Sequence, residues 1–399
     1  MQLTFIYGAM TMGGIETLLV RLANLFVGKG QSVRLLCQDG ELTEELSGAV
    51  ETLVYRDWAE ARRLFGTGGS DGNPNLVVSF DPTSCALASW LLGRAGRTNV
   101  THITGVYHPR AWFLEDDWLR LMINRMLLRT IQDDQIYFIN AESRIHHAEW
   151  AERGFTDSTV LPLGVRTHDC APERFIDGTI RIATVGRLVG FKDFNLHIPG
   201  IARQLIDDGV KLQWDVFGTG ELKDDVERLI HETLTEDQVH LRGDLPYAQL
   251  GSTLSQYDIF VGMGTAAVEA ATLGLPTIVA VDRGGERTYG FIQDLPFGNI
   301  CEMMDQPPVL TIGSLLSDLI KREKADRAAI GIASRVAALR YSMEDYAAGL
   351  LSIGLKATSG PYRKAAIAGL FYGEATIGRT RRLVQTGHRA LRRTMPKAV

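Results

Sequence analysis

The chain has 399 residues, 45% of them hydrophobic and 22% charged, with a net charge of −5. This is the make-up of a soluble globular protein of two or three domains. So mild a charge gives no case for nucleic acid as a partner, and no apolar run approaches the roughly 20 residues that a membrane span needs.

Four cysteines, Cys37, Cys85, Cys170 and Cys301, stand far apart with no CxxC pair. A disulfide framework or a zinc knot is therefore disfavoured, and reduced cytosolic thiols fit better. The first residues do not read as a signal peptide, because no charged n-region precedes an apolar stretch.

In chain order, Leu3 to Tyr7 reads as a strand, followed by a glycine-containing loop with Gly13-Gly14. Ile15, Leu18, Leu19, Leu22, Leu25 and Phe26 then recur at helical spacing. Ser32 to Cys37 is the next strand. Strand, glycine loop, helix and strand make a βαβ unit, so a parallel, right-handed sheet is expected. Ligands of such sheets sit at the carboxyl ends of the strands, where the Gly13-Gly14 loop lies. Asn75 to Phe80 and Asn99 to Tyr107 are further strands. His108 stands just past the second and before Pro109, which holds it extended. Ile136 to Asn140 is a short strand, and Val160 to Val165 closes the first half.

Residues 166–179 are polar, without apolar periodicity, and read as a linker. The second half repeats the grammar. Strand Ile180 to Val185 leads into Gly186-Arg187-Leu188-Val189-Gly190-Phe191-Lys192, then a helix to about Asp208. Strand Leu212 to Phe217 leads to Gly218-Thr219-Gly220-Glu221 and a helix over Lys223 to Leu234. Val239 to Leu241 is followed by the turn Gly243-Asp244-Leu245-Pro246. Ile259 to Val261 is followed by Gly262-Met263-Gly264-Thr265-Ala266 and a helix carrying Glu269. Thr277 to Val281 is the last strand read. Two βαβ-rich halves predict two doubly wound domains facing across a cleft, over residues 1–165 and 180–355.

Arg187 and Lys192 suit a diphosphate, Arg as a planar fork and Lys as a point charge. A glycine-rich turn opening a helix offers N–H groups to an anion. Glu269, within that helix, suits sugar hydroxyls. Together these features predict a site for a nucleoside diphosphate carrying a sugar.

Residues 356–399 form a basic tail. From Pro361 on, nine Lys/Arg stand against one Glu, so that segment is +8 and the preceding 360 residues are −13. Ile367, Leu370, Phe371, Ile377, Val384 and Leu391 recur near seven-residue spacing among arginines, the pattern of a membrane-surface helix drawn to anionic lipid. Gly369, Gly373, Gly378 and Gly387 weaken that helix. The competing reading is a loose basic tail or a helix packed on the acidic body.

The order and spacing of these motifs resemble the retaining nucleotide-sugar glycosyltransferases of the GT-B fold, the large family 4 group. The matching residues are Gly13-Gly14 with Glu16, His108, Gly164-Val165, Gly186-Arg187-Leu188 with Lys192, Gly218-Thr219-Gly220, Gly243, and Glu269-Ala270 with Gly274-Leu275-Pro276. The resemblance spans roughly residues 1–355 and is strongest from Arg181 to Ala280. It implies that Arg187 and Lys192 hold the donor diphosphate, and that Glu269 binds donor ribose. It further implies that Gly264, Thr265 and Ala266 offer N–H groups to phosphate, that Gly13 and Gly14 approach the phosphates or the acceptor, and that His108 contacts the donor sugar. The turn holding Gly243 and Leu245 would lie beside the nucleobase, with Gly218 also on the substrate side.

One departure stands out. The family commonly has a second glutamate eight positions before the one at Glu269, and Val261 stands there. This leaves open a member that has lost catalysis and binds a nucleotide or a protein partner.

The implied activity is retaining transfer of a hexose from a nucleoside-diphosphate sugar to a glycan or lipid-linked acceptor, in surface polysaccharide or glycolipid synthesis. No metal or other cofactor is expected: Asp116-Asp117, Asp133-Asp134, Asp207-Asp208 and Asp224-Asp225 sit in helical or loop patterns, not as a metal-binding pair after a strand. The expected location is cytoplasmic, peripheral at the inner membrane face. An epimerase would need an acid/base set of carboxylates and His that the chain does not offer. A phosphorylase is excluded by length and by the lack of a suitable lysine for pyridoxal.

Overall fold

The computed structural model describes residues 2–11, 13–66, 75–95, 100–113, 117–169, 178–234, 238–358 and 367–371. The chain forms two compact units. One comprises Met1–Leu161 and the C-terminal part from Ala347, the other Pro162–Tyr346.

The first unit contains β1 (Gln2–Ala9), α1 (Gly14–Gly28), β2 (Ser32–Gln38), β3 (Glu51–Val54), α2 (Trp58–Gly66), β4 (Asn75–Ser79), α3 (Pro82–Ala95), β5 (Val100–Val106), α4 (Trp118–Thr130), β6 (Ile136–Phe138), α5 (Ala141–Ala151) and β7 (Thr159–Val160). Its sheet runs β3-β2-β1-β4-β5-β6-β7, and every pairing is parallel. The strands are apolar runs because helices cover both faces of such a sheet. Leu3, Phe5 and Ile6 of β1 are fully buried. Strand order reverses between β1 and β4, so their carboxyl ends form the crevice where this architecture binds ligands.

Residues 367–371 are helical, and Ile367, Ala368 and Phe371 belong to this unit's core with Val77, Leu91 and Leu127. That piece of the predicted amphipathic tail is therefore buried structure, which suits the packed alternative for those residues. Residues 359–366 and 372–399, with the remaining tail arginines, lie outside the described residues.

The second unit contains β8 (Ile180–Val185), α6 (Ile198–Asp207), β9 (Leu212–Phe217), α7 (Lys223–Thr233), β10 (Val239–Gly243), α8 (Leu250–Leu254), β11 (Ile259–Gly262), α9 (Thr265–Thr272), β12 (Thr277–Ala280), β13 (Arg287–Phe291), β14 (Leu310–Thr311), α10 (Ile312–Lys321), α11 (Lys324–Leu339) and α12 (Met343–Lys356), which carries the chain out of it. Sheet order is β10-β9-β8-β11-β12-β13-β14. The first five strands are parallel, as expected. β13 and β14 are antiparallel additions at one edge that the sequence did not suggest.

The reversal here lies between β8 and β11, which pair Ile182 with Ile259 and Ala183 with Phe260. The Thr184 hydroxyl extends the link by donating to the Val261 carbonyl at 2.8 Å. Residues 166–169, at the start of the predicted linker, belong to this unit: the His168 N–H donates to Thr272 Oγ1 (3.1 Å), and its carbonyl accepts from Arg335 (2.8 Å). Residues 170–177 lie outside the described residues.

Candidate functional site

Both loops singled out in the second half leave the switch-point strands of the second unit. After β8 the chain turns at Gly186, whose φ of +150° few side-chain-bearing residues adopt. The Gly186 N–H donates to the Phe217 carbonyl (2.9 Å), and the Leu188 N–H to the Thr219 carbonyl (2.8 Å). Gly218, at φ +137°, presses against the Gly186 carbonyl so closely that a Cβ could not fit, and its N–H donates to the Gly243 carbonyl (2.7 Å). The three loops after β8, β9 and β10 are thus laced together through backbone. This gives Gly218 and Gly220 a packing reason that the sequence reading did not supply.

The Glu221 carboxylate accepts from the Gly190 N–H (2.8 Å), latching the Lys192 loop from the side. Leu245 packs on Phe217, Leu250 and Tyr257.

Lys192 is the non-helical residue (φ −103°, ψ 45°) at a kink within the 3-10 stretch Gly190–His197, and its N–H donates to the Val189 carbonyl (2.7 Å). The amine folds back over Gly186, where a Cβ would stand 2.5 Å from Nζ. Burial pushes its pKa below the ordinary lysine value, and the neighbouring Arg187 guanidinium adds to that, while the nearby Cys301 thiol acts in the opposite sense. Arg187 is exposed. Among the described residues neither cation has a carboxylate partner. Two cations without a carboxylate partner among the described residues, one of them desolvated, are poised for an anion.

On the neighbouring strand, α9 opens at Gly264 (φ +70°), and no side chain caps it. The first N–H groups of a helix have no intrahelical partner, so Thr265 and Ala266 present donors together with the positive end of the helix dipole. The Gly264 N–H donates to the Ile300 carbonyl (3.0 Å). The next residue, Cys301, is the thiol in electrostatic contact with Lys192. That segment, unnoticed in the sequence, links the two loops.

Glu269 lies deeper in α9 and is 1% exposed. Its Oε1 accepts from the Tyr247 hydroxyl (3.2 Å), and its Oε2 faces His168 Nε2 (3.4 Å). Neither partner carried a sequence signal. Val261 is fully buried in β11 among Ile182, Val216 and Ile278, so that position has no outlet for a carboxylate.

In the first unit, Gly13 and Gly14 open α1 at the β1 end of the switch point. A Cβ on Gly13 would collide with the Glu16 carboxylate, which also accepts from the Tyr7 hydroxyl (3.1 Å). The α1 N-terminus therefore already holds an anion. Asp81, at the carboxyl end of β4, has its pKa raised above the ordinary carboxylate value by burial, opposed by hydrogen bonds from Ser84 and Thr83, with the Glu16 charge adding to the rise. Sequence reading missed this carboxylate pair. His108 is exposed in the turn after β5, where its Nδ1 accepts from the Arg110 N–H (3.1 Å).

The acidic pairs do structural work where they are described. Asp117 caps α4 (2.9 Å to the Leu119 N–H), Asp133 pairs with Arg153 and Asp207 with Arg203. Among the described residues no group of three or more His, Cys, Asp or Glu side chains could hold a metal ion. No helix among them is long and apolar enough to cross a membrane.

Residues 166–290, spanning both loops of the second unit, match the model of the Glycosyl transferases group 1 family. No curated protein matches the chain in sequence. Three of the solved structures that share the fold illustrate it. Sucrose-phosphate synthase from Thermosynechococcus elongatus is 14% identical, with a TM-score of 0.63 over 88% of this chain and 97% of that one. WaaG, a glycosyltransferase involved in lipopolysaccharide biosynthesis, is 13% identical, with a TM-score of 0.60 over 89% and 100%. Anabaena HepE, in complex with UDP, is 13% identical, with a TM-score of 0.61 over 88% and 99%. Against the longer TarM, the chain spans only 54% of that protein's length. The fold is thus that of the GT-B glycosyltransferases, two α/β units each built on a parallel sheet.

Proposed function

We propose that the protein is a glycosyltransferase that moves a hexose from a nucleoside-diphosphate donor to a glycan or lipid-linked acceptor, with retention of configuration. The observation that carries this reading is Arg187 and Lys192, which have no carboxylate partner among the described residues, beside the uncapped N-terminus of α9, on the adjacent switch-point strands β8 and β11. The family match over residues 166–290 supports it. So does the company of the fold, which includes a UDP complex and a lipopolysaccharide enzyme.

In this mechanism the bond from the anomeric carbon to the β-phosphate oxygen breaks, and its electron pair goes to the phosphate. Arg187, Lys192 and the Thr265 and Ala266 N–H groups stabilise that growing charge as preorganised donors. The acceptor hydroxyl attacks from the face the phosphate leaves, and its proton passes to the leaving phosphate. No step needs a metal. Glu269 takes ribose hydroxyls, the turn at Gly243 and Leu245 lies at the base, and His108 is assigned to the donor sugar. Gly13 and Gly14 are assigned to the acceptor and not to phosphate, because the Glu16 carboxylate at the α1 N-terminus would repel a second anion and accept from a hydroxyl. The reading keeps a cytoplasmic location, with anionic membrane contact through the tail beyond Phe371.

The test is release of nucleoside diphosphate from a panel of UDP-, GDP- and ADP-sugars, with the product anomer read by NMR. Turnover with an inverted product removes retention. Val261 in place of the family glutamate favours a second reading, a silent nucleotide-binding module. Tight diphosphate binding with no release from any donor would select it.

A further inference from the structure

Glu269 is a buried carboxylate, and a buried charge must be held by donors or it becomes costly. The group facing its Oε2 is His168 Nε2, at 3.4 Å and 101 positions away in sequence. His168 is pinned as few surface histidines are. Its N–H donates to Thr272 Oγ1 (3.1 Å), that hydroxyl donates to the Glu269 carbonyl (2.7 Å), and its own carbonyl accepts from Arg335 (2.8 Å). The ring lies close against α8 at Gly251, where a Cβ would stand 2.6 Å from Nδ1. Any side chain at Gly251 would push the ring off its seat. Tyr247, at the start of the turn into α8, holds the other carboxylate oxygen (3.2 Å).

We propose that His168, with Tyr247, is a positioning residue that sets the plane of the Glu269 carboxylate for the ribose hydroxyls of a nucleoside diphosphate. The inference rests on the nucleotide-sugar reading and deepens it. The terminal torsion of a glutamate is broad and weakly determined by its own stereochemistry. A carboxylate that must meet a vicinal diol therefore needs outside groups to fix its plane, and two donors on opposite oxygens do that. The 3.4 Å separation is long for an N–H···O bond, as such contacts often are before a ligand tightens the site. A purely structural His168 would satisfy the buried charge and leave ribose selectivity untouched.

The experiment titrates UDP, GDP and ADP into the full chain by calorimetry, then the 2′-deoxy and 3′-deoxy forms of the tightest binder, with inorganic pyrophosphate as control. The wild type is expected to lose about 10-fold or more in affinity for at least one deoxy form, the size of a lost hydrogen bond to a charged group. His168→Phe should bring that ratio to about 2-fold or less with pyrophosphate affinity unchanged, and His168→Gln should keep it. Should His168→Phe fail to fold, Gly251→Ala, which displaces the ring, is expected to do the same and decides alone. A His168→Phe protein with the wild-type ratio, or one that loses pyrophosphate and ribose selectivity together, overturns the proposal. A wild type that binds none of the three diphosphates overturns the nucleotide reading beneath it, a result distinct from the other two.

Discussion

Replacing Lys192 with Met should have opposite effects on stability and on binding. Met keeps most of the length of the side chain and loses the amine. That amine is half-buried over Gly186, lacks a carboxylate partner among the described residues, and has its pKa pushed down by burial. A lysine with a lowered folded pKa penalises the folded state fully at neutral pH. The penalty fades only as pH rises towards the unfolded value. Removing the amine should therefore stabilise the ligand-free protein, by about 1 kcal/mol once partial exposure is discounted. With a diphosphate present the sign reverses. A hydrogen bond to a charged group is worth roughly 1.5–3 kcal/mol, so affinity for UDP or pyrophosphate should fall about 10- to 150-fold. Thermal melting without ligand and calorimetry with it read the two effects. A Lys192→Met protein that melts lower than wild type and binds pyrophosphate equally well would refute the reasoning on both counts.

Three further outcomes follow from the geometry. Gly218→Ala, at φ +137° against the Gly186 carbonyl, should cost at least about 2 kcal/mol in denaturant unfolding, because backbone and not a flexible side chain blocks the Cβ. His147 is fully buried and its pKa is pushed down to about 4. The unfolded chain therefore binds more protons below the ordinary value of 6.5, and stability falls as pH drops through that window, by about 2 kcal/mol between pH 7 and pH 5. His147→Gln should flatten that part of the pH profile. Val261→Glu, which restores the family's missing carboxylate, should gain no turnover and should lower unfolding stability by about 3 kcal/mol or more, since the position is closed within the core.

The parallel strands were legible because a sheet covered on both faces needs unbroken apolar runs, as in Ile180 to Val185 and Leu212 to Phe217. The glycine-bearing ends of β1, β8 and β11 were legible too, and they lie at the switch points of the two sheets. The antiparallel pair β13 and β14 was not legible, being short, and the inward positions of β13 are Thr288 and Gly290, so its alternation carries no apolar signal. The return of the chain to the first unit was hidden for a different reason. Ile367, Ala368 and Phe371 pack on residues far away in sequence, and a basic amphipathic pattern looks the same whether its apolar stripe meets lipid or core. At the site, Arg187, Lys192 and Glu269 carried local signals, a charge or a helix start. His168, Tyr247 and Cys301 gain their place only through folding. Gly251 offered the one hint, a glycine inside a short helix, and its reason is a histidine 83 positions earlier.

The central claim is that the switch point of the second unit binds the diphosphate of a nucleotide donor. Titration of UDP, GDP and ADP into wild-type protein and into the Arg187→Ala/Lys192→Ala double variant tests it most directly. The account predicts that at least one diphosphate binds the wild type and that the double variant loses about 100-fold or more of that affinity. Equal affinity in the two proteins, or no binding to either, would contradict it.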